Sequence, residues 1–472
     1  MTQPHHPGRD LSQGSIPRHI LSLAIPMLIG NLLNTGYGII NTIWVGKILG
    51  EAAVGATATS FPVIFVFISV AFGVTMATTI LVSQYYGAKN FAMVERTVAT
   101  SFSLSLIVGL GITVAGILSS DHILRLMNTP ADIFPLASPY LKITMGSFIF
   151  MYISFLVASI LRGIGDTKTP LAFMGIGVAL NAILDPLLIM GVGPFPHWGL
   201  NGAAAASVIS SLVAFLAGVI YLNRKGSFVA LRPSRLTLDG GIIATIARIG
   251  FPSMIQQLLV SIASAFVTTF VNGFGAAAIA AYGASGRIES LAFMPAMTFS
   301  MAISAFTGQN LGAQRPERVA GALRSGLSIV LSINTVIAIV VAAIPHLLLS
   351  LFINDPAVIG IGVVYLRITA ISYLLFGTMF ACNGVAIGAG HTLVTMTFTL
   401  LSLWVIRVPL AAWLSRGPLG IIGIWIAIDV SFFVVMCVSV GYYLSGRWKK
   451  AIVRHGAPKP IEAVVEEAKE IL

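Results

Sequence analysis

The chain has 472 residues, of which 57% are hydrophobic and only 9% charged. A soluble domain carries roughly 25% charged residues, so this composition excludes a soluble enzyme, a disordered protein and a nucleic-acid-binding module, despite a formal net charge of +11. The apolar runs are continuous and about 20 residues or longer, which also excludes a barrel of short alternating strands and leaves an all-α polytopic membrane protein.

In chain order, residues 1–15 are polar and lack the apolar run and small-residue cleavage site of a signal peptide, so they are expected to be a cytoplasmic tail. His5 and His6 within it read as solvated side chains rather than metal ligands. Twelve apolar windows follow, at 20–45, 54–81, 98–118, 138–161, 170–191, 200–222, 251–273, 277–306, 323–345, 360–386, 393–414 and 420–444. An even count puts both termini on one side. That side carries Arg9, Arg18, Lys89, Arg96, Arg162, Lys168, the basic cluster from Arg224 to Arg248, Arg315, Arg318, Arg324, Arg447, Lys449 and Lys450. The other side holds only Lys47, Arg125, Lys142, Arg367 and Arg416. The positive-inside bias predicts an inner (plasma) membrane protein with both termini cytoplasmic. The tail 447–472 ends in EAVVEEAKEIL, which suits a short surface helix and a frayed end equally. Cys382 and Cys437 lie in apolar runs, with no metal-ligand spacing and no disulfide expected.

The sequence repeats itself. QYYGAKN from Gln84 answers QNLGAQR from Gln309, Gly163-Ile-Gly-Asp-Thr answers Gly388-Ala-Gly-His-Thr, and Pro26 answers Pro252. All three pairs are offset by about 225 residues, the mark of a duplicated unit. Two six-helix lobes are predicted, 16–222 and 242–446, joined by a cytoplasmic linker over 223–241. With six spans each, the lobes share one orientation and are related by a pseudo-two-fold along the membrane normal. Secondary transporters use this plan, with rocking about a central site.

Charges within spans cost at least about 2.5–3.5 kcal/mol each and need a reason. Asp185, in LNAILDPLLIM, has no basic residue at similar depth, and Asn181 lies one turn before it on the same face. Burial penalises its charged form, so it suits exchange of a proton or a sodium ion; a permanently protonated structural role is the bland alternative. Asn31, Asn34, Tyr37 and Asn41 follow one face of the first span, and Pro26 is its expected hinge. Gln256, Gln257, Glu289 and Met294 join Asn31, Asn34 and Tyr37 as candidate walls of a substrate cavity. Met294 belongs to a methionine stripe that serves helix packing equally well. Arg407 and Asp429, on antiparallel neighbouring spans, are expected to form a structural ion pair. No nucleophile–base or metal-ligand constellation is present, so neither enzymatic activity nor a bound cofactor is expected.

These stretches together resemble the multidrug and toxic compound extrusion (MATE) family. The matching segments are IPMLIGNLLNTGYGIINTIWVGKILG, SQYYGAKN, GQNLGAQRPERV, LRGIGDTKTP, LNAILDPLLIMGVGPFPHWGLNGAAAAS and AYGASGRIESLAFMPAMTFSMAISAFTGQNLGA. The resemblance covers nearly the whole chain. It implies a V-shaped twelve-helix antiporter that expels small organic compounds, often cationic or amphipathic, against an inward flow of protons or sodium ions; a monomer is the default expectation. Within the family the chain is most similar to the DinF-like branch, whose coupling residues map onto Asp185, Asn181 and, for a segment-six hydroxyl, Ser207. That branch carries an aspartate in a DTxxVG pattern in the first span; here the pattern reads NTIWVG, and Asn41 replaces the acid. The NorM-like branch places acids where this chain has Val260 and Phe376. A dedicated metabolite carrier and a lipid-linked precursor flippase are the competing functions. The flippase is weakened by the few arginines, Arg287 and Arg407, available to a central cavity.

Overall fold

A computed structural model describes residues 8–224, 229–230 and 236–453. His5, His6 and the tail beyond Val453, for which expectations are stated above, lie outside these residues, as do 225–228 and 231–235 of the linker. Among the described residues the chain is helical, without strands.

Six long helices build the first lobe: α1 (Ile16–Leu49), α2 (Glu51–Gly87), α3 (Phe91–Leu126), α4 (Phe134–Gly163), α5 (Lys168–Met190) and α6 (Leu200–Arg224). The second lobe opens with α7 (Gly240–Asn272), α8 (Ala276–Gly312) and α9 (Pro316–Ala343), followed by the short α10 (Pro345–Ser350). Its tenth span is broken into α11 (Pro356–Thr369) and α12 (Ser372–Gly388), bent by 47°. The eleventh is α13 (Thr392–Leu400), a π-helical stretch Leu401–Arg407 and α14 (Val408–Leu414); the twelfth is α15 (Ile421–Leu444). Short loops make sequential helices antiparallel neighbours, so both described chain ends lie on one face, called here the terminal face.

Polar side chains start several helices there. The Asn90 carbonyl accepts from Met93 N (3.2 Å) at the head of α3, and Asp239 accepts from Gly241 N and Ile242 N at the head of α7. Both satisfy amides that have no partner within their helix. Asp239 also pairs with Arg96 (2.9 Å), fixing the end of the linker against the first lobe.

Pro26 and Pro252 sit inside α1 and α7 and leave carbonyls without helical partners. The first repeated glycine turn supplies a substitute, and the second bonds a carbonyl next to the one freed. Thr167 Oγ1, after Gly163-Ile-Gly-Asp, donates to Ser22 O (3.2 Å), the carbonyl four residues before Pro26. Thr392 Oγ1, after Gly388-Ala-Gly-His, donates to Ile249 O (2.7 Å), three before Pro252. Both threonines are buried. The first of these loops is therefore also a cap for the broken backbone of α1, and the second ties α7 down beside its proline.

The lobes meet along the half nearest the terminal face. Ala77, Ile80 and Leu81 of α2 share a core with Ile242, Ile246 and Ile249 of α7. Leu11, Ile20, Leu23 and Ala24, from the start of the chain, are buried among Phe299, Ile303 and Phe306 of α8. Toward the opposite face Leu32, Ile39 and Ile40 of α1, Phe61 of α2 and Phe266 of α7 are exposed.

Candidate functional site in the first lobe

The site is built from α1, α5 and α6. Asn181 and Asp185, one helical turn apart on α5, project from one face. Asp185 is fully buried and Asn181 is 5% exposed. Pro186 lies within α5 immediately after the carboxylate, removing the amide that would bond back to Ala182. The α6 backbone comes close because residue 202 is glycine: a Cβ there would stand 2.4 Å from Leu188 O. That approach, five residues before Ser207, carries its hydroxyl to the face of α5.

Asn41 Nδ2 donates to Asp185 Oδ2 at 2.7 Å and to Tyr37 Oη at 3.3 Å. With its amide nitrogen toward the carboxylate, Asn181 donates to Asp185 Oδ1 (2.8 Å) and Oδ2 (3.2 Å). Its oxygen then accepts from the Tyr37 hydroxyl (3.1 Å) and from Ser207 Oγ (3.2 Å). The opposite orientation would press a carbonyl oxygen against an ionised carboxylate but would accept from a protonated one, so the two orientations suit the two protonation states of Asp185. Among the described residues, no lysine, arginine or histidine stands within ion-pair distance of Asp185. Its charge is held by neutral amides alone. Such a site can release that charge to a proton or a small cation without first breaking a salt bridge.

The structure thus brings Asp185, Asn181, Asn41 and Ser207 together, and adds Tyr37, which the polar stripe of the first span assigns to the substrate wall. The other expected wall residues do not form one site. Asn31 is exposed and donates across the lobe boundary to Thr298 Oγ1 (3.1 Å), whose hydroxyl donates to Met294 O. Asn34 is exposed on the same helix. Gln256 turns into the second lobe, accepting from Thr395 Oγ1 (3.2 Å), with half-buried Gln257 beside it. Glu289 also faces inward: the Tyr365 hydroxyl donates to it (2.6 Å), in a cluster with Tyr282 and Trp425.

The ion pair expected between Arg407 and Asp429 is not formed. Arg407 Nε donates to Ser431 Oγ (2.8 Å), and its guanidinium lies 4.3 Å from the centre of the Phe432 ring. Asp429 accepts from Ser372 instead. The cause is angular. Residues two apart on a helix point roughly 200° apart, so a side chain seated on Ser431 cannot also reach Asp429.

A family model described as MatE matches residues 26–187 and matches again at 252–413. The probable multidrug resistance protein YoeA of Bacillus subtilis (strain 168) is 32% identical, covering 94% of this chain and 96% of its own length. The FAD transporter of Shewanella oneidensis is 28% identical over 93% of this chain and 96% of its own. A solved structure described as the outward-facing conformation of a multidrug resistance MATE family transporter superposes with a TM-score of 0.86 at 25% identity. It covers 94% of this chain and 98% of that one.

Proposed function

The chain belongs to the MATE family, whose members are transporters rather than enzymes, and from that premise we propose that it is a secondary antiporter. It exports small organic compounds across the inner (plasma) membrane by alternating access between the two lobes, driven by inward flow of protons or sodium ions through Asp185. The observation that carries this reading is the fully buried Asp185 carboxylate, bonded to two asparagine amides and to no basic group. A carboxylate locked to arginine would serve structure. One held by neutral amides is free to load and unload a cation.

Two features shape the coupling. Asn41 stands where a second acid occurs in the DinF-like branch, so the like-charge repulsion of a carboxylate pair is absent and Asp185 works alone. The amides of Asn41 and Asn181 can each turn to present oxygen in place of nitrogen. One rotation at Asn181 lets a protonated Asp185 donate to it, and two rotations create an oxygen cage for sodium.

Full-length protein in proteoliposomes with imposed proton or sodium gradients tests the assignment. Asp185→Asn is expected to abolish gradient-driven export while the protein stays monodisperse and folded. Export by the folded variant at the wild-type rate overturns it. The FAD-transporter relative supports a second reading, a carrier dedicated to one metabolite. Competition between chemically unrelated compounds for export separates the two: mutual inhibition supports the multidrug reading.

A further inference from the structure

The repeated Gln-x-x-Gly elements close α2 and α8 on the terminal face, and each glutamine works in the opposite lobe. Gln84 Nε2 donates to Gly388 O (2.9 Å), at the end of α12, and its oxygen accepts from Ile452 N (3.1 Å) and Val453 N (3.2 Å), beyond α15. Gln309 Nε2 donates to Gly163 O (2.9 Å), at the end of α4, and its oxygen accepts from Leu11 N (3.0 Å), ahead of α1. Both side chains are fully buried. Each caps an unpaired helix-terminal carbonyl of the other lobe and clips down one described end of the chain.

The glycines make this crossing possible. A Cβ on Gly87 would lie 1.9 Å from Gln309 O, one on Gly312 2.0 Å from Gln84 O, and one on Gly308 1.9 Å from Ser83 Oγ. The segment ahead of α1 reinforces the closure. Arg9 N donates to Ile164 O of the first lobe (2.8 Å), while Leu11 O accepts from Asn310 and Arg318, and Ser12 O from Arg315, all of the second. The turns receiving the glutamines also carry Thr167, which caps the carbonyl freed by Pro26, and Thr392, which bonds Ile249 O beside Pro252.

We propose that Gln84 and Gln309 are the two halves of a reciprocal latch that holds the terminal face closed. Transport requires that the latch open and re-form in each cycle. They are positioning residues, acting through backbone groups of the opposite lobe. A neutral amide is suited to this role. It satisfies a donor and an acceptor at once in the closed state, and water satisfies it nearly as well in the open one, so the latch is reversible. The two halves must open together, since parting the lobes at either glutamine pulls apart the glycine crossing they share. This inference rests on the alternating-access reading, but its readout is a distance rather than transport.

The test uses the full chain in lipid nanodiscs, with spin labels on Ala92→Cys and Glu317→Cys, exposed sites in the two lobes, in a Cys437→Ala background. Gln84→Met and Gln309→Met are each expected to raise the ratio of wide to narrow label separations by about tenfold, and the pair of changes together by more. Deuterium exchange in the single variants supplies a second readout. Gln84→Met must loosen not only Ile452 and Val453 but also Leu11, which the other glutamine holds. Unchanged separations in folded variants overturn the latch, as does exchange that rises only at the mutated half. If the double variant fails to fold, the single variants still decide. A latch that fails while Asp185→Asn abolishes export leaves the antiporter reading standing; separations that shift in a protein without gradient-driven export do the reverse.

Discussion

Asp185, as the proposed coupling group, would need little: one acid, removed from water, bonded to amides that can present either nitrogen or oxygen. The asparagine at position 41 makes the surroundings testable. Its amide donates to Asp185 at 2.7 Å, so Asn41→Asp would set two carboxylates in contact, and two such groups cannot both stay ionised. One proton then binds across the pair. Export by Asn41→Asp is expected to depend more steeply on the proton gradient and less on sodium, read as initial rates in proteoliposomes under each gradient. An unchanged pH profile would place the two side chains apart during the cycle. Asp185 and Asn181 were legible in the sequence because a charge in an apolar run needs an explanation and a four-residue spacing puts both on one helix face. Tyr37 was legible only as part of a polar stripe; its bond to Asn181 depends on how α1 crosses α5, which helix periodicity does not specify. Gln84 and Gln309 were visible as a repeat but not as a latch. Their partners lie about 150 to 370 residues away in sequence, and nothing local marks a buried glutamine amide as an interlobe cap.

Elements broke where composition gave no warning. The tenth span bends at Ala370 and Ile371 without proline or glycine, and the eleventh passes through a π-helical stretch ending at Arg407. Depth along a span does not specify which side of the partner helix a side chain meets, which is why a pairing inferred from depth sent Arg407 to Asp429 instead of Ser431. The repeated turns are the reverse case: their glycines were plain in sequence, and Gly165 and Gly390 take left-handed φ values of +83° and +87°. The turns differ at one residue. Asp166 bonds both the amide and the hydroxyl of Thr169, whereas His391 is bonded to Tyr442. Burial lowers the His391 pKa below the ordinary value of 6.5. A base so shifted stays neutral in the folded protein while the unfolded chain takes up a proton, so its contribution is complete above pH 6.5 and declines as the pH falls below it. The melting temperature of the wild type should therefore drop between pH 7.5 and pH 5.5 by more than that of His391→Asn. Equal drops would show that the histidine carries no part of the acid sensitivity.

At the scale of the whole molecule, duplication governs both the fold and its mechanics. The family model fits the chain twice, and the contacts that close the terminal face come in pairs: glutamine to turn, threonine to a carbonyl ahead of the span's proline, glycine against backbone. Twelve spans and their grouping were legible because length and hydropathy are nearly sufficient in a bilayer, where each backbone polar group must be satisfied within its own helix. How the lobes lean was not, because the lipid-facing and cleft-facing sides of a span have similar composition. The orientation proposed from loop charge puts the latch on the cytoplasmic side. Glu51 begins α2 on the side poor in lysine and arginine, while Glu317 begins α9 on the basic terminal face, and both are exposed. With Cys437 replaced by alanine, Glu51→Cys should react with a membrane-impermeant maleimide in intact cells, and Glu317→Cys only after permeabilisation. Cys382 is buried and should stay silent. The reverse pattern would turn the protein over, so that the latch would close the outer face and Asp185 would load from the cytoplasm in the state described. The proposed direction of export depends on that single orientation, and the charge bias of the loops is the force expected to set it during insertion.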